Sequence, residues 1–550
     1  MRFGICDIEN NQDGSVTEIG ACTNDTEPII WEGANSWDKW FRWAEDTGIT
    51  RWYAHNGGGW DWLSLLHHSH YEPGGWQFSH HVSANCVGTR PILVRFEKLE
   101  LCDSWCLTQC SLAEFADQMG TSPKQSSDKL PWDMSRDERL SYLRDDCIAL
   151  RDGLNRFIGI LQEEGFAGNK PPLTIAGAAW NIWKNGYSPN TYERLSHESD
   201  LFCRQGYKGG RVEVFKPGNH SDVNVYDVNS MYPYVMVDND YAIGEPIHVN
   251  EIVDVPGAYR VERVFDPARV MQFKAADGDV LYSPEVKRII RTGGSVDVYS
   301  GFVFERQFPL FKSYVEHFYE YKRGGGPLGF VAKMLLNHLY GKLGSRPISC
   351  SMESMTEDRL SEIMAKGYDV SPLTVATDQT DWWVVERPTP WRREHVAVAG
   401  LVTSHARNHL HRLIDEDTIY SDTDSIHTTG TMDCSDELGG VKLEFGPTDG
   451  VYLGRKCYAL KDDSGKQKIR LKGISQKTLD HQNLPHLRKS LHKQITFSDV
   501  QRCINNPREM VSIRPATLKE TLAGKQPCSM TSELKGGHGK ERKRTLRVTA

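Results

Sequence analysis

No apolar run in the sequence approaches the ~20 residues that a membrane-spanning helix requires, so a helical membrane protein is not expected. There is no CxxC pair. The 13 cysteines are scattered and odd in number, and the opening MRFGICDIEN runs straight into a strand pattern with no secretory leader. These absences predict a reducing, intracellular setting. Cys102, Cys106 and Cys110 recur every four residues, but no histidine stands near enough in sequence to complete a zinc set. Internal repeats and low-complexity tracts are also missing; KGGHGKERKRTLR comes nearest to one.

What is present is ordinary globular composition, 39% hydrophobic and 25% charged over 550 residues, too long for a single core. The net charge of -8 hides a segregation. Residues 1–200 carry 17 Lys and Arg against 29 Asp and Glu, whereas residues 451–550 carry 22 against 8. A hundred residues with a net charge of +14 predict a surface for phosphates, with a merely solvated charged region as the alternative.

Residues 1–32 alternate as short strands, and the stretch from Ser135 to Phe166 has the periodicity of one long helix. GNKPPLT reads as a boundary. VNVYDVN reads as a strand, 240–310 as strand-like, and PLFKSYVEHFYEYKRGGGPLGFVAKMLLNHLYGKLG as two helices broken at GGGP. Residues 346–395 read as irregular and Trp-rich. VAVAGLVTSHARNHLHRLIDE is a helix, and TIYSDTDSIHTTG follows it as a hairpin.

The hairpin places Asp422 and Asp424 at period-two spacing, on one face of an extended chain. An apolar strand delivers Asp227, with Pro233 six residues later. Lys333, Asn337 and Tyr340 fall on one stripe of a helix, a spacing that suits a triphosphate and a base together. Carboxylates brought from distant segments fit in-line phosphoryl transfer, which uses two divalent metals about 3.5–4 Å apart. Magnesium takes hard oxygen ligands and keeps some water, so two or three aspartates suffice. Asp227 and Asp424 are the natural pair.

YDVNSMYP, KMLLNHLYGK and YSDTDSI, in this order, resemble motifs A, B and C of the family B DNA polymerases. YKGGRVEVF resembles the YxGG element of the protein-primed branch, and GRKCYAL followed by Lys472–Gly473 resembles its KxY pattern. YAHNGGGWDW and LTIAGAAWN extend the resemblance to the polymerases of tectivirus-like phages, over nearly the whole chain. It implies that Asp227 and Asp424 hold two Mg2+ or Mn2+ ions with Asp422 in support, and that Tyr232 packs under the sugar. Lys322 and Lys333 bind the triphosphate, Asn337 and Tyr340 line the nascent base pair, and Lys456 and Tyr458 hold the primer strand. Tyr207, Gly209 and Gly210 of the YxGG element meet DNA.

The first half carries a second set. Asp7 and Glu9 share a strand face, Asn56 and Asp61 flank a glycine-rich loop, and Tyr142 and Asp146 are one helical turn apart. These match the DxE, Asn…Asp and YxxxD motifs of 3′–5′ proofreading exonucleases, and imply two-metal hydrolysis at Asp7, Glu9, Asp61 and Asp146 with Tyr142 orienting the water. His55, Asn56 and Ser104 are expected to meet the frayed primer end, and Lys124 to stabilise charge. Asn10 departs from the family, which often has Thr after DxE.

The resemblance implies an α/β multidomain fold: an RNase H-like exonuclease domain, then a right-hand polymerase of palm, fingers and thumb with terminal-protein-region insertions. The expected limits are 1–195 exonuclease, 196–222 linker with YxGG, 223–240 and 373–495 palm, 241–315 first insertion, 316–345 fingers, 346–372 second insertion and 496–550 thumb. Expected partners are template and primer DNA, deoxynucleoside triphosphates and a terminal protein as primer. The expected setting is a monomer in the cytoplasm of a bacterial host. The alternatives are a similar polymerase using an ordinary nucleic-acid primer, and a catalytically dead DNA-binding relative.

Overall fold

The computed structural model describes residues 1–471 apart from 11–15, 34, 60, 63–82, 88–89, 97, 125–128, 130, 190–194, 267–277, 346–347, 355–356, 373–381 and 389–394. Lys472, Gly473, the expected thumb and nearly all of the basic C-terminal region lie outside the described residues. Two compact units form: Met1–Asn190 with Leu310–Glu394, and Thr191–Pro309 with His395–Gln482.

The first unit is built on a ten-stranded mixed sheet. Gly4–Asn10 lies third from one edge, parallel to Arg51–Ala54 and antiparallel to Val16–Thr23, and Arg51–Ala54 in turn runs parallel to Leu99–Asp103. The long periodicity read in the sequence is a helix, Arg136–Glu163, opened by a capping box between Ser135 and Glu138. It lies over Gly4–Asn10 and Val16–Thr23. Trp37, Trp40, Trp52 and Trp62 are fully buried, with Trp40 edge-on to Trp52 at 5.7 Å between ring centroids. Truncating any one of them to alanine would cost about 3–5 kcal/mol.

The stretch 346–395, irregular by its sequence, contains strands Ile348–Ser354, Asp369–Pro372 and Trp382–Pro388. Pairing of Ser351 with Asn85 and Met352 with Ala84 adds them to the same sheet. Short strands of weak alternation are stabilised here by a distant partner, which local pattern cannot show. Residues 382–388, assigned from sequence to the palm, thus sit in the first unit.

Helices Lys312–Gly324 and Gly326–Leu343 also belong to this unit, joined where Gly325 and Gly326 adopt left-handed φ of 68° and 62°. They are held by Trp183 Nε1 donating to Leu310 O at 3.0 Å and by His317 Nε2 and Glu164 at 2.8 Å.

The second unit carries a seven-stranded antiparallel sheet with the long strand Gly218–Val228 near its middle, between Val441–Gly454 and Ser425–Thr428. The strand-like 240–310 region contains a separate four-stranded sheet and the helix Ser283–Arg291, whose Val286 and Ile289 pack on Tyr259, Val261 and Leu281. The helix Val396–Leu413, buried along VAVAGLVTS, packs against Ser283–Arg291, His197–Gly206 and Met231–Asp238.

Candidate active sites

Asp227 ends the strand Gly218–Val228 in register with Ser425 on one side and Lys442 on the other. Asp424 sits at the turn between Thr418–Asp422 and Ser425–Thr428; its carbonyl accepts from Val228 N at 2.8 Å and its N–H donates to Asp422 O at 2.7 Å. Burial, then the nearby Asp227, pushes the Asp424 carboxyl up to about 6. Burial also raises Asp227, against the pull of Lys442, whose Nζ is 3.7 Å from Asp227 Oδ2. Asp422 is held differently. It accepts from the Tyr420 hydroxyl at 3.2 Å and the Thr423 hydroxyl at 3.1 Å, and pairs with Lys456 Nζ at 3.3 Å.

Sequence reasoning missed Lys442 and Tyr420. The period-two step from Lys442 to Glu444, and Tyr420 two residues before Asp422, were the available signals. Lys442→Met is expected to move the acid limb of the pH profile for nucleotide incorporation upward, because the cation that favours ionised Asp227 is gone. Steady-state rates between pH 5.5 and 8 check this; an unmoved limb would separate Lys442 from the site.

The other residues singled out in this unit are divided between the site and its support. Tyr232 is half-buried on the helix Met231–Asp238, close enough to Tyr207 to raise its hydroxyl further after burial. Gly209 is exposed. A Cβ at Gly210 would come within 2.6 Å of Thr423, so only glycine fits against the carboxylate turn. Lys456 is half-exposed beside Asp422, whereas Tyr458 is 5% exposed and packs in a core of Tyr420, Tyr452 and Val225. Its ring supports the hairpin from beneath.

In the first unit, Asp7, Glu9, Asp61 and Asp146 interact with one another. Burial raises all four carboxyls. Asp146 adds to the rise of Asp7, which reaches about 7, and of Glu9; Asp7 adds to the rise of Asp61. Lys124 Nζ donates to Asp146 Oδ2 at 2.5 Å and sits 4.6 Å from the Tyr142 ring centroid. Asp146 Oδ1 is buried with no hydrogen-bond partner among the described residues. Asn56, exposed, adopts a left-handed φ of 64° at the head of the glycine loop. His55 bonds Ser104 Oγ and Cys110 O, each at 3.0 Å, and Ser104 is fully buried with its hydroxyl also on Ala54 O. The Ser104 hydroxyl fixes the His55 ring.

Lys333 and Asn337 are exposed and Tyr340 half-buried along one stripe of Gly326–Leu343, opposite buried Ala332, Leu335, Leu336, Leu339 and Leu343. Lys322 lies 5.4 Å from the Tyr319 ring centroid on the preceding helix.

Among the described residues no three His, Cys, Asp or Glu side chains are drawn together so as to hold a metal ion. The chemistry of the acidic pairs still fits a hard divalent cation, which binds through one or two carboxylates with phosphate and water as its other ligands. The orphaned Asp146 oxygen fits the same ligand. No described helix is long and apolar enough to cross a membrane.

One unit carries a strand-borne aspartate beside a hairpin aspartate and the other a second set of interacting carboxylates, in an exonuclease-plus-right-hand polymerase fold. The fold matches Phi29 DNA polymerase complexed with single-stranded DNA, at a TM-score of 0.66 and 18% identity over 91% of this chain and 94% of that one. The family profile of DNA polymerase type B, organellar and viral, matches residues 118–257 and 270–382. The DNA-directed DNA polymerase of Enterobacteria phage PRD1 is 26% identical over 456 residues, covering 77% of this chain and 75% of that protein. A probable DNA polymerase of Neurospora intermedia is 26% identical over 422 residues, 68% of this chain. The chain spans 42% of that fungal relative and 32% of a second one, from Ascobolus immersus. Over residues 118–257 and 270–382 the chain is similar to the type B DNA polymerases of the organellar and viral group.

Proposed function

We propose that the protein is a DNA-directed DNA polymerase primed by a protein, with 3′–5′ proofreading and strand displacement, replicating a linear viral or plasmid genome in a bacterial host. The observation that carries this reading is the meeting of Asp227, on its strand, with Asp424, at the turn of the neighbouring hairpin, each raised by burial and Asp424 further by Asp227. A carboxylate pair so placed is costly to ionise without a cation and is suited to phosphate chemistry. Divalent ions bound there supply charge neutralisation on the phosphates and acidify the attacking hydroxyl. The chain's own side chains orient the reactants. Asp227 and Asp424 anchor the centre, while Tyr420 and Lys456 fix Asp422 beside it. Lys322 and Lys333 bind triphosphate, Asn337, Tyr340 and Tyr232 gauge the base and sugar, and Tyr207, Gly209, Gly210 and Lys456 contact DNA. In the first unit Asp7, Glu9, Asp61 and Asp146 serve hydrolysis of a mispaired 3′ end, with Tyr142 and Lys124 arranging water and charge and with His55 and Asn56 at the strand.

The likeness to the PRD1 enzyme and the separate sheet at 247–303 support a protein primer docked on the insertion. Incubation with one labelled deoxynucleotide, template and a candidate terminal protein encoded beside this gene is expected to label that protein on a side-chain hydroxyl. Extension of ordinary oligonucleotide primers with no labelled protein would instead establish the nucleic-acid-primed alternative.

A further inference from the structure

The helix Ser283–Arg291 of the insertion is fastened through a buried side chain to the YKGG loop, which in turn meets the carboxylate turn. Arg407, on the helix Val396–Leu413, is 2% exposed. Its Nε and Nη2 donate to Glu285 Oε1 and Oε2 at 3.0 and 2.8 Å, a two-pronged pair closed by the Ser404 hydroxyl on Oε2 at 3.2 Å. Its Nη1 donates to the carbonyls of Lys208 and Gly209 at 2.6 and 3.0 Å. One guanidinium therefore joins an insertion carboxylate to the backbone of the YKGG loop.

The loop passes the constraint on. Gly210 packs against Thr423, Arg211 O accepts from Thr423 N at 2.6 Å, and Val212 pairs with Asp422. Thr423, at a left-handed φ of 63°, is the residue between Asp422 and Asp424. The Asn408 amide donates to Pro284 O at 2.6 Å, which pins the start of the insertion helix to the same framework. Although burial opposes its charge, Glu285 is held below the usual carboxyl range, with Arg407 the main reason and Lys208 the next charge. A lysine in place of Arg407 keeps the charge but lacks the planar fork that reaches a carboxylate and two carbonyls together.

We propose that Arg407 is a positioning residue for nucleotide transfer: through Glu285 and the 208–209 carbonyls it couples the insertion to the turn bearing Asp422 and Asp424. This rests on the polymerase reading above. A partner seated on the insertion is then felt at the carboxylates through a contiguous path of bonds rather than by proximity.

The test uses the full-length chain with Arg407→Lys and Glu285→Gln, the second carrying the test if the first does not fold. Hydrogen exchange of backbone amides is read by mass spectrometry. Exchange in peptides covering 207–214 and 418–428 is expected to rise about tenfold together, with 218–228 unchanged. A rise confined to 283–291 and 404–408 overturns the proposal. In primer extension, kcat is expected to fall at least about tenfold with nucleotide KM nearly unchanged and degradation of single strands retained. Equal loss of both activities with a lowered melting point, or wild-type kcat in both variants, overturns it as well. Should the wild-type chain incorporate no nucleotide, the polymerase reading fails, while the exchange experiment still decides the coupling.

Discussion

Asp424→Ala is expected to lower template-directed nucleotide incorporation by about a thousandfold or more, equivalent to roughly 4 kcal/mol of transition-state stabilisation. The variant loses the one carboxylate that faces Asp227 from the neighbouring hairpin, and with it half of the anchoring charge. Asp424→Asn separates charge from shape. The amide retains the volume and backbone bonds of the turn, so incorporation is expected to fall as far while the melting temperature in chelator rises, because the cost of ionising a buried Asp424 beside Asp227 is gone. Degradation of single strands, assigned under the proposed function to carboxylates of the other unit, is expected to stay within about twofold of wild type. Primer extension, melting curves in chelator and strand degradation on the same preparations check all three statements. Full incorporation by either variant would remove Asp424 from the centre and with it the reading of YSDTDSI.

Much of this was legible because the chemistry-bearing residues sit in short segments whose local form is strongly set. The period-two step from Asp422 to Asp424 and the helical step from Tyr142 to Asp146 depend on neighbours within one turn or one hairpin. The stripe of Lys333, Asn337 and Tyr340 is equally local: six hydrophobic residues between 332 and 343 bury the opposite side of the helix. What could not be read depends on contacts distant in sequence. Strands 348–354 and 382–388 exist through pairing with one another and with Ser83–Val87, more than 250 residues earlier. Arg407 reads locally as one cation in a His- and Arg-rich helix; its partners lie 122 and 199 residues away in sequence. Ser104 and Tyr458 show the opposite limit. Motif position marks them as strand contacts, and only the fold shows that one hydroxyl also bonds Ala54 and His55 and that one ring packs in the hairpin core.

Asp7→Asn is expected to lower 3′–5′ degradation about a thousandfold while making the metal-free protein more stable at pH 8. The sign follows from proton linkage. An unfolded Asp7 ionises near the model-peptide value of 3.8, whereas in the fold burial and Asp146 raise its carboxyl to about 7. Between those values the native state keeps a proton that the unfolded chain has released, so stability is greatest at low pH and is lost as pH rises through about 7. Glu9, Asp61 and Asp146 are raised too, and so contribute in the same direction. Lys124 opposes the loss by favouring the ionised form of Asp146 at 2.5 Å. Removing the Asp7 charge relieves part of the repulsion, an expected gain of about 1–2 kcal/mol at pH 8 that vanishes near pH 4. Lys124→Met should act in reverse, destabilising the protein at pH 8 in chelator because Asp146 then faces its neighbours with no ammonium beside it. Magnesium should restore the melting temperature of wild type more than that of Asp7→Asn. Melting curves from pH 4.5 to 8.5, with chelator and with magnesium, test each step. A lower melting point for Asp7→Asn at pH 8, together with an unchanged pH slope, would show that these carboxylates do not crowd one another and that the first unit holds no centre of this kind.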